Sequence, residues 1–136
     1  MDVDRITAAI VDSAMKVHLA LGPGLLESVY ETCLKHELTK RGFKVESQQW
    51  LPVIYDGVQV EGGYKIDLLV EHAVIVELKV VERILEVHKA QLLSYLKLSD
   101  KRVGLLINFN VVHLRDGIRR LVNNYPEPRY FGAVSA

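Results

Sequence analysis

The residues that most constrain how this chain folds lie at positions 64–79 and read YKIDLLVEHAVIVELK. Two nearly all-apolar runs, Leu68-Leu69-Val70 and Ala73 to Val76, stand on either side of Glu71-His72. Such short runs around a polar turn read as strands covered on both faces. With Glu71-His72-Ala73 as the turn, Val70 pairs with Val74, and the same register sets Asp67 opposite Glu77 and Lys65 opposite Lys79. Side chains alternate along a strand, so Glu77 and Lys79 share a face. Directly opposed Cβ atoms lie about 5 Å apart, where like charges destabilise the pair. A slip of one residue would send the two carboxylates to opposite faces. Acids and a lysine among Ile, Leu and Val need a partner, because burying unpaired charge is costly. A divalent cation between the acids is one solution. The other is a half-wet strand face on which Lys79 pairs with Glu77.

The rest of the chain supplies elements to pack around this hairpin. Ile6, Ile10, Ala14, Val17 and Leu21 recur at helical spacing and define a first helix over 5–21, broken by Gly22-Pro23-Gly24. A second helix runs from about 25 to 41, with Leu26, Val29, Tyr30, Cys33, Leu34 and Leu38 as its buried face. Gly42 follows Lys40 and Arg41 as a helix stop. Glu27 sits in the first turn, a position acids favour for dipole reasons alone. His18 reads as a core or surface histidine. From Phe43 the period changes to two, with an edge strand over 43–48 and a strand or its continuation over 51–55. Asp56-Gly57 is a strong hairpin turn, answered by Val58 to Val60, and Gly62-Gly63 permits a bulge. Trp50 and Pro52 read as packing and edge features.

Beyond Lys79 a third helix spans about 85–98, with Leu85, Leu92 and Leu96 toward the core. His88, Gln91 and Tyr95 form a neighbouring polar stripe that starts near the end of the Glu77–Lys79 strand. The run from Val103 to Ile107 reads as a buried strand, and strand, helix and strand together suggest a βαβ unit with parallel strands. Residues 111–124 are open to two readings, a hairpin at Asp116-Gly117 or a short helix over 118–122. Arg115, Arg119 and Arg120 are the basic cluster of that region, and a solvated face suffices to explain them. One domain over 1–124 with a loosely ordered tail over 125–136 is expected.

The 136 residues carry a formal charge of zero, so no global field draws the chain to nucleic acid or to an anionic membrane. A polyanion would have to be held by a local patch or by metal. The single cysteine, Cys33, rules out a disulfide framework and fits a reducing, cytoplasmic setting. No stretch reaches membrane-spanning length, and the N-terminus does not read as a signal peptide.

The segment LGPGLLESVYE, with Gly24, Glu27 and Tyr30, resembles the signature of the GxxExxY family of small bacterial and archaeal proteins, placed in the PD-(D/E)XK nuclease superfamily. The likeness extends through the YKIDLLVE–VIVELK hairpin, the HKAQLLSYLKL helix and the GLLINFN strand, from about residue 10 to 124. It implies an α/β, restriction-endonuclease-like αβββαβ core, with helices on both faces of a mixed four- to five-stranded sheet. It further implies Glu27, Asp67 and Glu77 as metal ligands, the Leu78 carbonyl as an additional one, and Lys79 as the group that orients or activates water. Gln91 and Tyr95 match a Gln-X3-Tyr motif of the RecB-type branch, and His88 acquires no defined role. Lys65 stands where relatives tend to carry arginine, which keeps the charge and loses bidentate phosphate recognition.

Carboxylate oxygens without a soft ligand suit Mg²⁺ or Mn²⁺. The expected activity is metal-dependent phosphodiester hydrolysis, with DNA as the substrate. A nuclease-fold module that binds nucleic acid or protein without cutting is the alternative, and hydrolysis of a smaller phosphoester a third. One chain offers little surface for gripping a duplex, so a homodimer or a partner protein is expected.

Overall fold

The computed structural model describes residues 2–126. The tail expected to be loose over 125–136 falls outside these from residue 127 onward. Among the described residues three helices and five strands run in the order α1 (Val3–Leu21), α2 (Glu27–Lys40), β1 (Val45–Tyr55), β2 (Val58–Val70), β3 (Val74–Lys79), α3 (Glu86–Ser99), β4 (Val103–Asn108) and β5 (Ile118–Val122). The strands form one sheet in sequential order, β1-β2-β3-β4-β5. Only β3 and β4 run parallel, and α3 is the crossover between them. The expected α/β architecture, a mixed sheet flanked by helices, is therefore present. The ambiguous 111–124 region resolves as a short 3-10 turn at Leu114–Gly117 followed by β5, antiparallel to β4. A strand prevails there because Ile118 pairs with Ile107 and leaves the hydrogen-bonding edge of β4 covered.

The sheet separates two cores. Ile6, Ile10 and Ala14 of α1 and Tyr30, Leu34 and Leu38 of α2 pack on Leu68, Val70, Val76, Leu78 and Ile107. On the opposite face Leu92, Tyr95 and Leu96 of α3 pack on Ile66, Ile75 and Leu106. Both faces are thus covered, as the apolar runs of β3 and β4 require. The ends of the helices depart from the sequence reading. Leu26 (72% exposed) and Val29 lie in the open, because the start of α2 overhangs its core, and Leu85 is an exposed residue just before α3. The stop of α2 is a Schellman motif: Gly42 N–H donates to the Thr39 carbonyl and Phe43 N–H to that of Leu38, with Gly42 at φ +92°. His18 is a core histidine whose Nε2 lies 2.8 Å from the Val111 carbonyl oxygen.

β1 and β2 form a long antiparallel ribbon closed by Asp56-Gly57, both with positive φ, which gives the twist that a two-residue hairpin prefers. The register shifts between Leu51 and Val53, opposite Gly62-Gly63. The shift is possible because the Gly63 backbone presses against Leu51: a Cβ there would be driven into the Leu51 carbonyl oxygen. Gly62 has a positive φ and open space around it. Gly63→Ala is therefore expected to destabilise the protein by more than about 1 kcal/mol, and Gly62→Ala by less, in the midpoint of urea unfolding.

Candidate active site at the fork between two strands

The β2–β3 ladder covers only the pairs Leu68–Val76, Leu69–Ile75 and Val70–Val74. Beyond Leu68 the strands no longer bond backbone to backbone. Two carboxylates take over: Asp67 N–H donates to Glu77 Oε1 at 3.0 Å, and Leu78 N–H donates to Asp67 Oδ2 at 2.8 Å. Asp67 and Glu77 therefore meet, as the hairpin register requires, and each carboxylate satisfies a backbone donor that the ladder would otherwise leave bare. The expected opposition of Lys65 and Lys79 is not formed. Lys65 lies over the Trp50 ring of β1, and Lys79 Nζ is 3.4 Å from Gln91 Oε1 on α3.

The alternation of side chains also breaks here. Ile66 and Leu68 are two residues apart and should share a face, yet Ile66 packs with the α3 core and Leu68 with the α1–α2 core. Asp67 stands at this reversal. On the partner strand β1 the neighbouring residue Gln48 has φ +53°, a left-handed conformation that costs a non-glycine residue of order 1 kcal/mol. The Gln48 side chain uses that turn. Its Nε2 lies 2.5 Å from Glu31 Oε1 and 3.4 Å from Asp67 Oδ1, linking two acids.

Glu27 opens α2, and the sequence around it explains its position. Tyr30, fully buried, stacks on Phe109 with ring centroids 4.4 Å apart. Its hydroxyl donates to the Gly22 carbonyl at 2.6 Å and accepts from Leu25 N–H at 3.1 Å. These bonds tie the Gly22–Leu25 turn to the first turn of α2, and Gly24 supplies a φ of +97°. The result brings Glu27 to Asp67. The Glu27 carboxyl is held above its usual range by burial first, then by the charge of Asp67, with Lys79 pulling the other way. Glu31, one turn further along, is also held up, by burial and by Asp67, against the hydrogen bond from Gln48 and the charges of Lys35 and Lys65.

Glu77 is the most perturbed of the group. Only 5% exposed, it is pushed up to about 8, first by burial and then by Asp67 and Glu27, while the Asp67 N–H bond and Lys79 oppose the shift. Tyr95 is pushed up to about 12 by burial and by Glu77, so its phenol stays a proton donor. It packs on Tyr64 with ring centroids 4.7 Å apart. The connection from β3 to α3 is held by Asn108, buried at the end of β4, which bonds both the N–H and the carbonyl of Val81. His88 serves the helix: its Nδ1 accepts from Leu85 N–H at 2.9 Å and caps the first turn. Arg119 and Arg120 have different partners. Arg120 pairs with Asp4 at 3.0 Å, whereas Arg119 bonds the carbonyls of Asp116 and Ile118.

Of the expected site residues, Glu27, Asp67, Glu77, Lys79, Gln91 and Tyr95 thus lie around one fork, with Leu78 bonded to Asp67. Glu31 and Gln48 were missed. The i, i+4 spacing of Glu27 and Glu31 could have revealed the former, since both lie on one face of a helix. Nothing local marks Gln48. Among the described residues no group of three or more His, Cys, Asp or Glu side chains is already gathered to hold one metal ion. The donor set nonetheless fits a hard dication: every candidate ligand is an oxygen, and three acids are raised by burial and by the charge of Asp67.

The fold is α/β with a mixed sheet, and carboxylates and a lysine gather where two of its strands part. The chain belongs to the PD-(D/E)XK nuclease superfamily, whose family model matches residues 4–121. Members of that superfamily generally use divalent metals to hydrolyse phosphodiesters. No curated protein and no solved structure matches the chain. Among the described residues no helix is long and apolar enough to cross a membrane.

A raised carboxyl makes stability depend on pH. Between the ordinary value of 4.5 and about 8, the folded protein keeps the Glu77 proton that the unfolded chain has released. Stability in metal-free buffer is therefore expected to fall as pH rises through this window, by at most ~1.4 kcal/mol per unit. Glu77→Gln, which cannot ionise, should flatten the slope in urea unfolding measured from pH 5 to pH 8.

Proposed function

We propose that the protein is a Mg²⁺- or Mn²⁺-dependent nuclease acting on DNA. The observation that carries this reading is the meeting of Asp67 and Glu77 at the β2–β3 fork, with Glu27 beside them and Lys79 on the same strand as Glu77. Asp67, Glu77 and Glu27, with the carbonyl of Leu78, would hold the ion. The ion would neutralise charge on the phosphoryl oxygens and make water a better nucleophile. Lys79, its Nζ 3.4 Å from Gln91 Oε1, would supply a positive charge near the reacting phosphate. Tyr95 stays protonated and available as a donor. The GxxExxY likeness agrees with this assignment, since Gly24 and Tyr30 shape the turn that delivers Glu27.

The same reading treats residues 1–124 as one cytoplasmic nuclease-like domain that works as a homodimer or with a partner protein. A binding module that no longer cuts is the second reading. It is favoured by the engagement of the Asp67 and Glu77 oxygens with backbone N–H groups.

Asp67→Ala and Lys79→Ala are each expected to lower Mn²⁺- or Mg²⁺-dependent cleavage of single-stranded, duplex, flap and junction DNA by more than about a hundredfold. Retained cleavage in Asp67→Ala would refute the site. In thermal unfolding, Mn²⁺ should stabilise the wild type more at pH 8 than at pH 5, because a dication competes with the carboxyl protons. Asp67→Ala should lose that gain. Metal stabilisation in a wild type that cuts none of the four substrates would select the binding module.

A further inference from the structure

Trp50 does not pack as its sequence context suggests. It is 62% exposed, although it is the one tryptophan of the chain and apolar surface of that size is normally covered. It faces Lys65 across the β1–β2 ribbon, and the Lys65 ammonium sits 5.0 Å from the centre of its ring. The pair lies close to the fork. Trp50 is two residues from Gln48, which bonds Glu31 and Asp67, and Lys65 is two residues from Asp67, or about 7 Å of strand. Lys65 also acts on Glu31. The β3 ladder stops at Leu68, so among the described residues β2 has no ladder partner on that side where it carries Lys65.

From this arrangement we propose that Trp50 and Lys65 form a binding subsite for one nucleotide of a single-stranded nucleic acid, next to the candidate active site. The base stacks on the indole, and the ammonium meets the adjoining phosphate. The proposal rests on the nuclease reading and narrows its substrate to unpaired strands. Two observations favour a single strand over a duplex. An indole can offer its face only to a base that is free of its neighbours, as in stacking platforms for single strands. A duplex is gripped through many phosphate contacts, and a chain of zero formal charge is poorly supplied for that. The competing explanation is purely structural, a cross-strand Trp–Lys pair that steadies the ribbon.

The test uses the full chain in metal-free buffer with EDTA, and an oligothymidylate of about 12 nucleotides as the probe. Because Trp50 is the sole tryptophan, fluorescence excited at wavelengths too long for tyrosine to absorb reports on it alone. Saturable quenching by the single strand, and none by a duplex of the same length, is the expected result. By anisotropy of a labelled oligothymidylate, Trp50→Leu should bind about tenfold more weakly and Trp50→Phe within about threefold of wild type. Leucine keeps the apolar bulk, so a merely structural tryptophan would show no such split. The inference is overturned if the strand does not bind, if it binds without altering the fluorescence, or if Trp50→Leu binds as tightly as wild type. Asp67-dependent cleavage that survives any of those results would leave the hydrolase reading standing. Quenching without cleavage would instead remove the hydrolase and keep the subsite.

Discussion

Two short hydrogen bonds govern the centre of this protein: Asp67 N–H to Glu77, and Leu78 N–H to Asp67. They let two strands part without leaving bare backbone donors, and so open the end of a hairpin as a candidate site. The exchange is chemically economical. A ladder bond joins amide to carbonyl and leaves nothing free to react, whereas a carboxyl group in its place keeps spare lone pairs at the fork. The parting strands also leave room for α2 to bring Glu27 from one side of the sheet and for α3 to bring Gln91 from the other.

That arrangement is held in electrostatic tension. Burial alone would protonate Glu77, and neighbouring acids push in the same direction, while Lys79 and one backbone N–H resist. Natural cores tolerate such a cluster when the surroundings over-determine it. Here the surroundings are firm: the Tyr30–Phe109 stack, the Tyr30 hydroxyl bonds and the Asn108–Val81 clamp each fix one of the elements that carry site residues. The left-handed Gln48 belongs to the same pattern. A small conformational cost is accepted where a side chain must reach two acids.

Much of the site was legible because strand periodicity is rigid. Once Val70 pairs with Val74, counting one residue past the last ladder pair, Leu68–Val76, sets Asp67 beside Glu77, where a carboxylate bond replaces the ladder. The same counting failed for Lys65 and Lys79, since the register was extrapolated past the point where the ladder ends. It failed too for Leu26, Val29 and Leu85, where helical periodicity continues beyond the core the helix covers. Trp50 lies on the edge strand as its context suggests, yet is little packed, for a related reason: residue type sets how much a side chain gains by burial, and neighbours decide whether anything is there to bury it. Fold-level features were robust because they sum over many residues, as in the parallel β3–β4 pair around α3.

By itself the sequence determined the hairpin turn, the helix stops, the two-sided burial of the central strands and the near approach of two carboxylates. All are set by local backbone preferences and by hydrophobic patterning, which act within a few residues. Only the tertiary structure decided where the alternation reverses at Asp67, that Gln48 links Glu31 to that residue, and that His88 caps a helix. It likewise left the indole of Trp50 in the open. Those features depend on which distant surfaces meet and on what remains uncovered when they do, and a one-dimensional pattern carries no record of either.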